Sequence, residues 1–256
     1  MAKILVFAES RDNKIKNAGL EAASKALSIG KEIGSEVEAL LIGSNVSELA
    51  ADLGNYGITK AIVIEDSRLE KYSTTAFAKA IAEAVKARGA DILFLSATAM
   101  GKDVAPRVSA RLEAALAVDC TNLKVESNEI IATRPVYAGK AYIDLKITSA
   151  VKIFSLRPNV FKPEKTEKAD VSVEKHNINF EDKDFGAQVK EIVVSSEKLD
   201  VSEADIVVSG GRGLKGPEHF YLVEDLAKVL GGAAGASGSG RRCGSPGRAR
   251  RGRCRG

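Results

Sequence analysis

Residues 3–42 read KILVFAESRDNKIKNAGLEAASKALSIGKEIGSEVEALLI, and this stretch decides the fold. Lys3 to Ala8 is short, apolar and partly β-branched, the pattern of a buried strand. Asn17 to Ile33 is Ala-rich, with Leu20, Ala23, Leu27 and Ile33 at near-helical spacing. Glu36 to Ile42 is the next strand. Strand, helix and strand in succession read as the opening of a parallel sheet with a crossover helix.

The same alternation continues outward. Gly43-Ser44-Asn45 forms a turn able to cap a short helix, Val46 to Leu53, and Ala61 to Glu65 is a third strand. Ser73 is placed to cap a long helix, Thr74 to Lys86, whose apolar stripe is Phe77, Ile81, Ala84 and Val85. Arg88-Gly89 ends it, and Asp91 to Ser96 is a fourth strand. Val104 to Ala115 reads as a further helix with Pro106 near its first turn. The expected fold class is α/β: a doubly wound, mostly parallel, Rossmann-like sheet over residues 1–156. Asn122 to Leu156 reads as hairpin-type additions to it, with Pro135 and Gly139 between strand-like runs and Lys140 to Ile147 alternating. Residues 157–199 read as linker and connecting strands. Arg157 to Asp170 is rich in charge and holds two Pro, and Lys190 to Ser195 gives a strand.

A second domain is expected from about Asp200, over 200–238. Ala204 to Ser209 is a strand, Gly210 to Gly216 a Gly-rich loop, and Pro217 to Leu230 a helix with Pro at its start and Gly231 after its end. No strand is expected beyond it. A single strand-loop-helix cannot cover both faces of a sheet, and some 40 residues are too few for an independent core, so this domain reads as incomplete.

The chain has 256 residues, a net charge of +4 and three Cys, but these totals change meaning once located. Residues 239–256, SGRRCGSPGRARRGRCRG, hold seven Arg, no acid and two of the Cys; residues 1–238 carry −3 and one Cys, Cys120. The body therefore gives no electrostatic reason to expect a nucleic-acid partner. Apolar runs fall short of the roughly 18 residues of a membrane span. The chain begins Met1-Ala2-Lys3 and enters a strand at once, without the apolar region and cleavage site of a signal peptide. A cytoplasmic protein without membrane insertion is the expectation.

The strongest chemical signal is Gly211-Arg212-Gly213-Leu214-Lys215-Gly216, a G-x-G-x-x-G between a strand and a helix, where backbone N–H groups can face a phosphate. Two readings stand: nucleotide binding, or a tight turn without a ligand. Ser96 to Asp103 also follows a strand and precedes a helix. It is either a ligand loop at the carboxyl edge of the sheet or an ordinary loop with an N-cap. His176 and His219 stand alone, so no metal site is expected, and Cys120 reads as a small buried hydrophobe.

The chain closely resembles the alpha subunit of electron transfer flavoproteins from Lys3 to about Ser237. The markers are Leu5-Val6-Phe7-Ala8-Glu9, Ser96-Ala97-Thr98 with Gly101-Lys102-Asp103, Ala105-Pro106-Arg107-Val108, Arg134-Pro135-Val136-Tyr137-Ala138-Gly139, Val208 to Lys215, and Gly235-Ala236-Ser237. The resemblance implies a heterodimer with a beta subunit, one FAD, and no substrate of its own. Electrons come from flavin dehydrogenases, such as acyl-CoA dehydrogenases, and pass on to a quinone oxidoreductase. It implies that the first domain packs with the beta subunit, and that FAD is held mainly by the second, with Arg212 and Ser237 as contacts beside Gly211 and Gly213. The alternative is a stand-alone nucleotide-binding or regulatory module built on the first domain.

The match has departures. Ala236-Ser237-Gly238-Ser239 stands where the family has Ala-Ser-Arg-Ala, so the arginine expected against the flavin is replaced by glycine. The later Gln-Thr-Gly and Ser-Gly-Ala-Ile-Gln-His segments have no counterpart. Weak FAD binding, or none, is the expectation. Residues 239–256 have the composition of GC-rich DNA read in a wrong frame, so a frameshift and a disordered Arg/Gly-rich tail are expected.

Overall fold

The computed structural model describes residues 2–187, 189, 201, 204, 206–214 and 216–236. They belong to two compact units, Met1–Glu191 and Ile192–Gly256.

In the first unit, β1 (Lys3–Phe7), α1 (Asn17–Ile33), β2 (Glu36–Gly43) and β3 (Lys60–Glu65) follow the reading from sequence. The short helix before β3 is split between a 3-10 turn, Ser47–Leu49, and one α turn, Ala50–Leu53. Next come α2 (Thr74–Arg88), β4 (Ile92–Ser96), α3 (Ala99–Leu112) and β5 (Ala115–Cys120). The hairpin strands are β6 (Asn122–Glu126), β7 (Glu129–Val136) and β8 (Ala141–Lys146), and β9 (Lys152–Leu156) and β10 (Ser172–Lys175) complete the unit. Seven strands form one sheet in the order β10-β3-β2-β1-β4-β9-β5, and every pairing in it is parallel. Strands β8, β7 and β6 form a separate antiparallel sheet.

A parallel sheet covered on both faces needs strands apolar on both sides. Strand β1 meets this by alternation. Ile4 and Val6 join the core under α1, while Leu5 and Phe7 join the core under α2 and α3. The aromatics reinforce each side: Phe94 stacks on its registered neighbour Phe154 at 5.4 Å, and Phe7 meets Phe77 edge-on at 6.4 Å. The β6–β8 sheet contributes Leu123, Ile130 and Ala132 to the α1 side.

Several local expectations change. Lys152–Leu156 is not part of a hairpin but an interior parallel strand between β4 and β5, with Ile153, Phe154, Ser155 and Leu156 all buried. Pro135 lies inside β7 rather than between strands. Its pairing explains this: β6 covers β7 only as far as Thr133, so Pro135 faces a ladder on the β8 side alone and its missing N–H removes nothing. Helix α3 starts at Ala99, five residues before the expected start, because the Thr98 hydroxyl accepts from the Gly101 N–H at 3.0 Å; Pro106 is thus interior. Ser73 occupies the N-cap position of α2, but its buried hydroxyl makes no hydrogen bond.

The segment expected to be linker and connecting strands folds onto the first unit. Ala169 donates its N–H to the Gly54 carbonyl at 3.1 Å, and β10 pairs with β3 as an edge strand. Lys79 then reaches Asp184 at 2.7 Å. The strand expected over Lys190 to Ser195 and the tail 239–256 lie outside the described residues.

In the second unit, β11 (Val207–Gly210) leads through two 3-10 turns, Arg212–Leu214 and Pro217–His219, to α4 (Tyr221–Val229). A further strand follows, contrary to the sequence reading. Ala233–Ala236 is β12 and pairs in parallel with β11, in register Val207 with Ala233. Its sequence, Ala-Ala-Gly-Ala, carries no β-branched residue and so gave no strand signal.

The tightest joint in the first unit is at Gly101, where an added Cβ would lie 1.8 Å from the Ser96 carbonyl oxygen. Gly101→Ala is expected to destabilise the chain by about 2–3 kcal/mol, because backbone rather than a side-chain tip must move. Urea unfolding checks this, and a loss below about 0.5 kcal/mol would contradict the packing described.

Candidate functional site: the glycine loop and the carboxyl edge of the sheet

The glycine loop of the second unit closes on itself. Leu214 donates to the Gly211 carbonyl at 3.1 Å and Gly216 to the Leu214 carbonyl at 2.7 Å. A second turn, with Pro217 at its first position, carries the chain into α4. Gly213 of this loop differs sterically from Gly210 just before it. A Cβ on Gly210 would lie 2.5 Å from Leu214 Cδ1 and 2.9 Å from Val223 Cγ2, so Gly210 sets how closely α4 approaches β11. A Cβ on Gly213 would meet nothing within 4 Å. Open space at that backbone fits the approach of a ligand, as a phosphate-cradling loop requires. The loop backbone there leaves room for a nucleotide cofactor. The backbone of Arg212 starts the same turn, whereas Ser237 lies outside the described residues.

The first unit has its own candidate. The strand order turns back between β1 and β4, and ligands of open α/β sheets commonly bind at the carboxyl end of such a point. Here that crevice is closed from within. The Thr98 hydroxyl donates to the buried Glu9 carboxylate, and Ser96 Oγ donates to the Ala18 carbonyl at 2.6 Å. One turn into α3, Asp103 accepts hydrogen bonds from the Tyr72 hydroxyl at 2.9 Å and from Thr74, which hold its carboxyl below the usual range. Ser96 to Asp103 is therefore a capped strand-to-helix loop. With a carboxylate inside the crevice, a nucleotide phosphate there would be repelled.

At the far side of the same edge, Asp119 adopts a left-handed conformation, φ +59°, where the β5–β9 register shifts by a bulge. Arg157 clamps it through two hydrogen bonds, 3.0 and 2.6 Å, and holds its carboxyl below the usual range. Beside it Cys120 is fully buried, and burial pushes its thiol up to about 12. His219 lies 3.8 Å from Glu218 on the surface, and His176 donates its backbone N–H to Val63; no group of three metal-ligating side chains occurs among the described residues.

Residues 4–180 match the family described as Electron transfer flavoprotein domain, and residues 200–243 match Electron transfer flavoprotein FAD-binding domain. The chain belongs to the electron transfer flavoprotein alpha-subunit family. It is 34% identical over 241 residues to the electron transfer flavoprotein subunit alpha of Clostridium acetobutylicum, covering 91% of this chain and 72% of the relative. Protein FixB of Clostridium saccharobutylicum is 36% identical over 238 residues, with 91% and 71% covered. The acryloyl-CoA reductase electron transfer subunit beta of Anaerotignum propionicum is 30% identical over 270 residues, with 91% and 72% covered. The glycine loop thus lies in the part of the chain that matches the FAD-binding family, and the seven-stranded sheet lies in the part that matches the other.

Sequence reasoning missed three residues. Glu9 and Thr98 meet across 89 positions, which no local pattern reveals. Gly210 sits just before the motif, and only its contact with α4 shows its role.

The Cys120 thiol gives a direct check. Because its pKa is raised on folding, the stability it contributes is full below about pH 9 and is lost as pH rises towards 12. With Cys243→Ser and Cys254→Ser in place, native chain at pH 9 is expected to resist a thiol reagent and urea-unfolded chain to react fully. Rapid labelling of the native chain would contradict the burial.

Proposed function

We propose that this chain is the alpha subunit of a two-subunit FAD electron carrier. It takes electrons from flavin dehydrogenases of the acyl-CoA dehydrogenase type and delivers them to a quinone oxidoreductase. The observation that carries the reading is the open backbone at Gly213, in the loop between β11 and α4, within the residues that match the FAD-binding family. When bound, the flavin supplies the electron chemistry. The chain supplies position: Gly210 fixes the loop against α4, and Gly211 and Gly213 let the cofactor approach the backbone. Arg212 and Ser237 hold it by charge and hydrogen bonding. The first domain, residues 1–156, serves as the surface on which the beta subunit packs.

The names of the relatives support electron transfer in more than one setting, and fatty acid β-oxidation is the setting we propose. No described helix is long and apolar enough to cross a membrane, which supports a cytoplasmic carrier. Gly238 occupies the place of the family arginine, so positive charge against the flavin is reduced and binding is weak in this chain.

Titration of FAD into the purified complex of this chain with its beta subunit, followed by flavin fluorescence, tests the reading. The expected result is saturable but weak binding that is lost on gel filtration and is weakened further by Arg212→Ala. A stoichiometric yellow complex that survives gel filtration would contradict the weak pocket. Absence of binding at any FAD concentration would contradict the carrier reading itself.

A further inference from the structure

The buried acids among the described residues are Glu9, Glu21, Glu38 and Asp184. Glu38 is met by both arms of Arg88 at 2.8 Å, and Asp184 by Lys79 at 2.7 Å. Glu21, on α1, is 3% exposed and forms no ion pair among the described residues. Burying a carboxylate without a counter-charge is costly, so another set of donors has to answer it.

The backbone after β9 supplies them. The Asn159 N–H donates to both Glu21 oxygens, at 2.9 and 3.2 Å, and the N–H groups of Val160 and Phe161 are turned to the same carboxylate. Asn159 has φ +61°, a left-handed conformation that aims successive N–H groups at one point and makes an anion-binding concavity. The Asn17 side-chain amide donates to Glu21 as well, at 3.0 Å. Further along α1, Ser24 Oγ accepts from the Glu164 N–H at 3.2 Å, and Phe161 packs against the core on this side of the sheet. Burial pushes the Glu21 carboxyl up, and the N–H groups of Asn159, Phe161 and Val160 oppose it.

We infer that the backbone of residues 159–161 is a carboxylate-binding site and that the Glu21 side chain is its built-in occupant. The site stands at the carboxyl end of β9, the neighbour of β4, and so beside the crevice that Glu9 closes. Two oxygens sharing one N–H, with further donors around them, suit a carboxylate. The loop that leaves β9 is thus fixed to α1 by an internal ligand and needs no external one. Asn159 and Val160 are exposed, so the site opens to solvent on the loop side once the occupant is shortened. Glu21→Ala does this while keeping a good helix former on α1. It removes one methylene and the carboxylate, the same heavy atoms that make up acetate.

The full chain carrying Glu21→Ala is followed by thermal unfolding at neutral pH and constant ionic strength, in acetate, in the bulkier pivalate and in chloride. In chloride the variant is expected to melt about 5 °C below wild type, from the loss of charge-assisted hydrogen bonds. Acetate is expected to restore most of that loss with a saturating dependence, whereas pivalate restores none and wild type does not respond. Wild-type melting of the variant in chloride overturns the inference, as does rescue by acetate no greater than by pivalate, or an equal response of wild type. Where Glu21→Ala fails to fold, Glu21→Gln decides, because it keeps the size of the occupant and removes its charge. Hydrogen exchange at the Asn159 N–H is then expected to be about tenfold faster than in wild type, with the β1 amides unchanged. An unchanged rate at Asn159 overturns the inference. The glycine loop takes no part in these readings, so failure here leaves the carrier reading in place.

Discussion

Ile4 and Val6 leave β1 on one face, and Leu5 and Phe7 leave it on the other. That single strand, apolar on both sides, has to be covered by helices above and below, and it must pair in parallel with neighbours that meet the same demand. Strands β2 and β4 do so, and β3 and β9 extend the sheet beyond them. The crossover helices then fall on opposite faces, α1 on one and α2 with α3 on the other. Their close approach is limited at the turn out of β4, where Ser96 and Gly101 touch backbone to backbone.

The same winding decides what the two units can do. It produces a crevice at the carboxyl ends of β1 and β4, but Glu9 and Thr98 fill it with a carboxylate and its donor. The first unit is thereby stiffened and barred from the usual nucleotide position of such sheets, which argues against the reading of it as a stand-alone nucleotide module. The proposed cofactor site lies instead in the short β11–loop–α4–β12 unit, where the backbone at Gly213 is open.

Most of the first unit was legible in the sequence, because runs such as Ile-Leu-Val-Phe and Ile-Leu-Phe-Leu can only be buried strands beside Ala-rich helices. The exceptions have physical causes. Strand β9 follows three hairpin strands and was grouped with them; only its pairing with β4 and β5 places it in the main sheet. Strand β12 is built of Ala and Gly and has no propensity to announce it. Helix α3 begins early because a threonine cap outweighs the proline that seemed to mark its start. The glycine loop was found by spacing. The roles of Glu9, Thr98 and Gly210 depend on partners that are distant in sequence or on close packing against a helix, and neither is written in local pattern.

The proposed carrier function requires that this chain act as one half of a two-subunit flavoprotein. Native mass spectrometry of the chain co-expressed with the beta subunit from the same genome tests that most directly. A one-to-one complex is expected, from which FAD is lost under gentle desalting before the subunits part. A chain that stays alone, or assembles only with copies of itself, would contradict it.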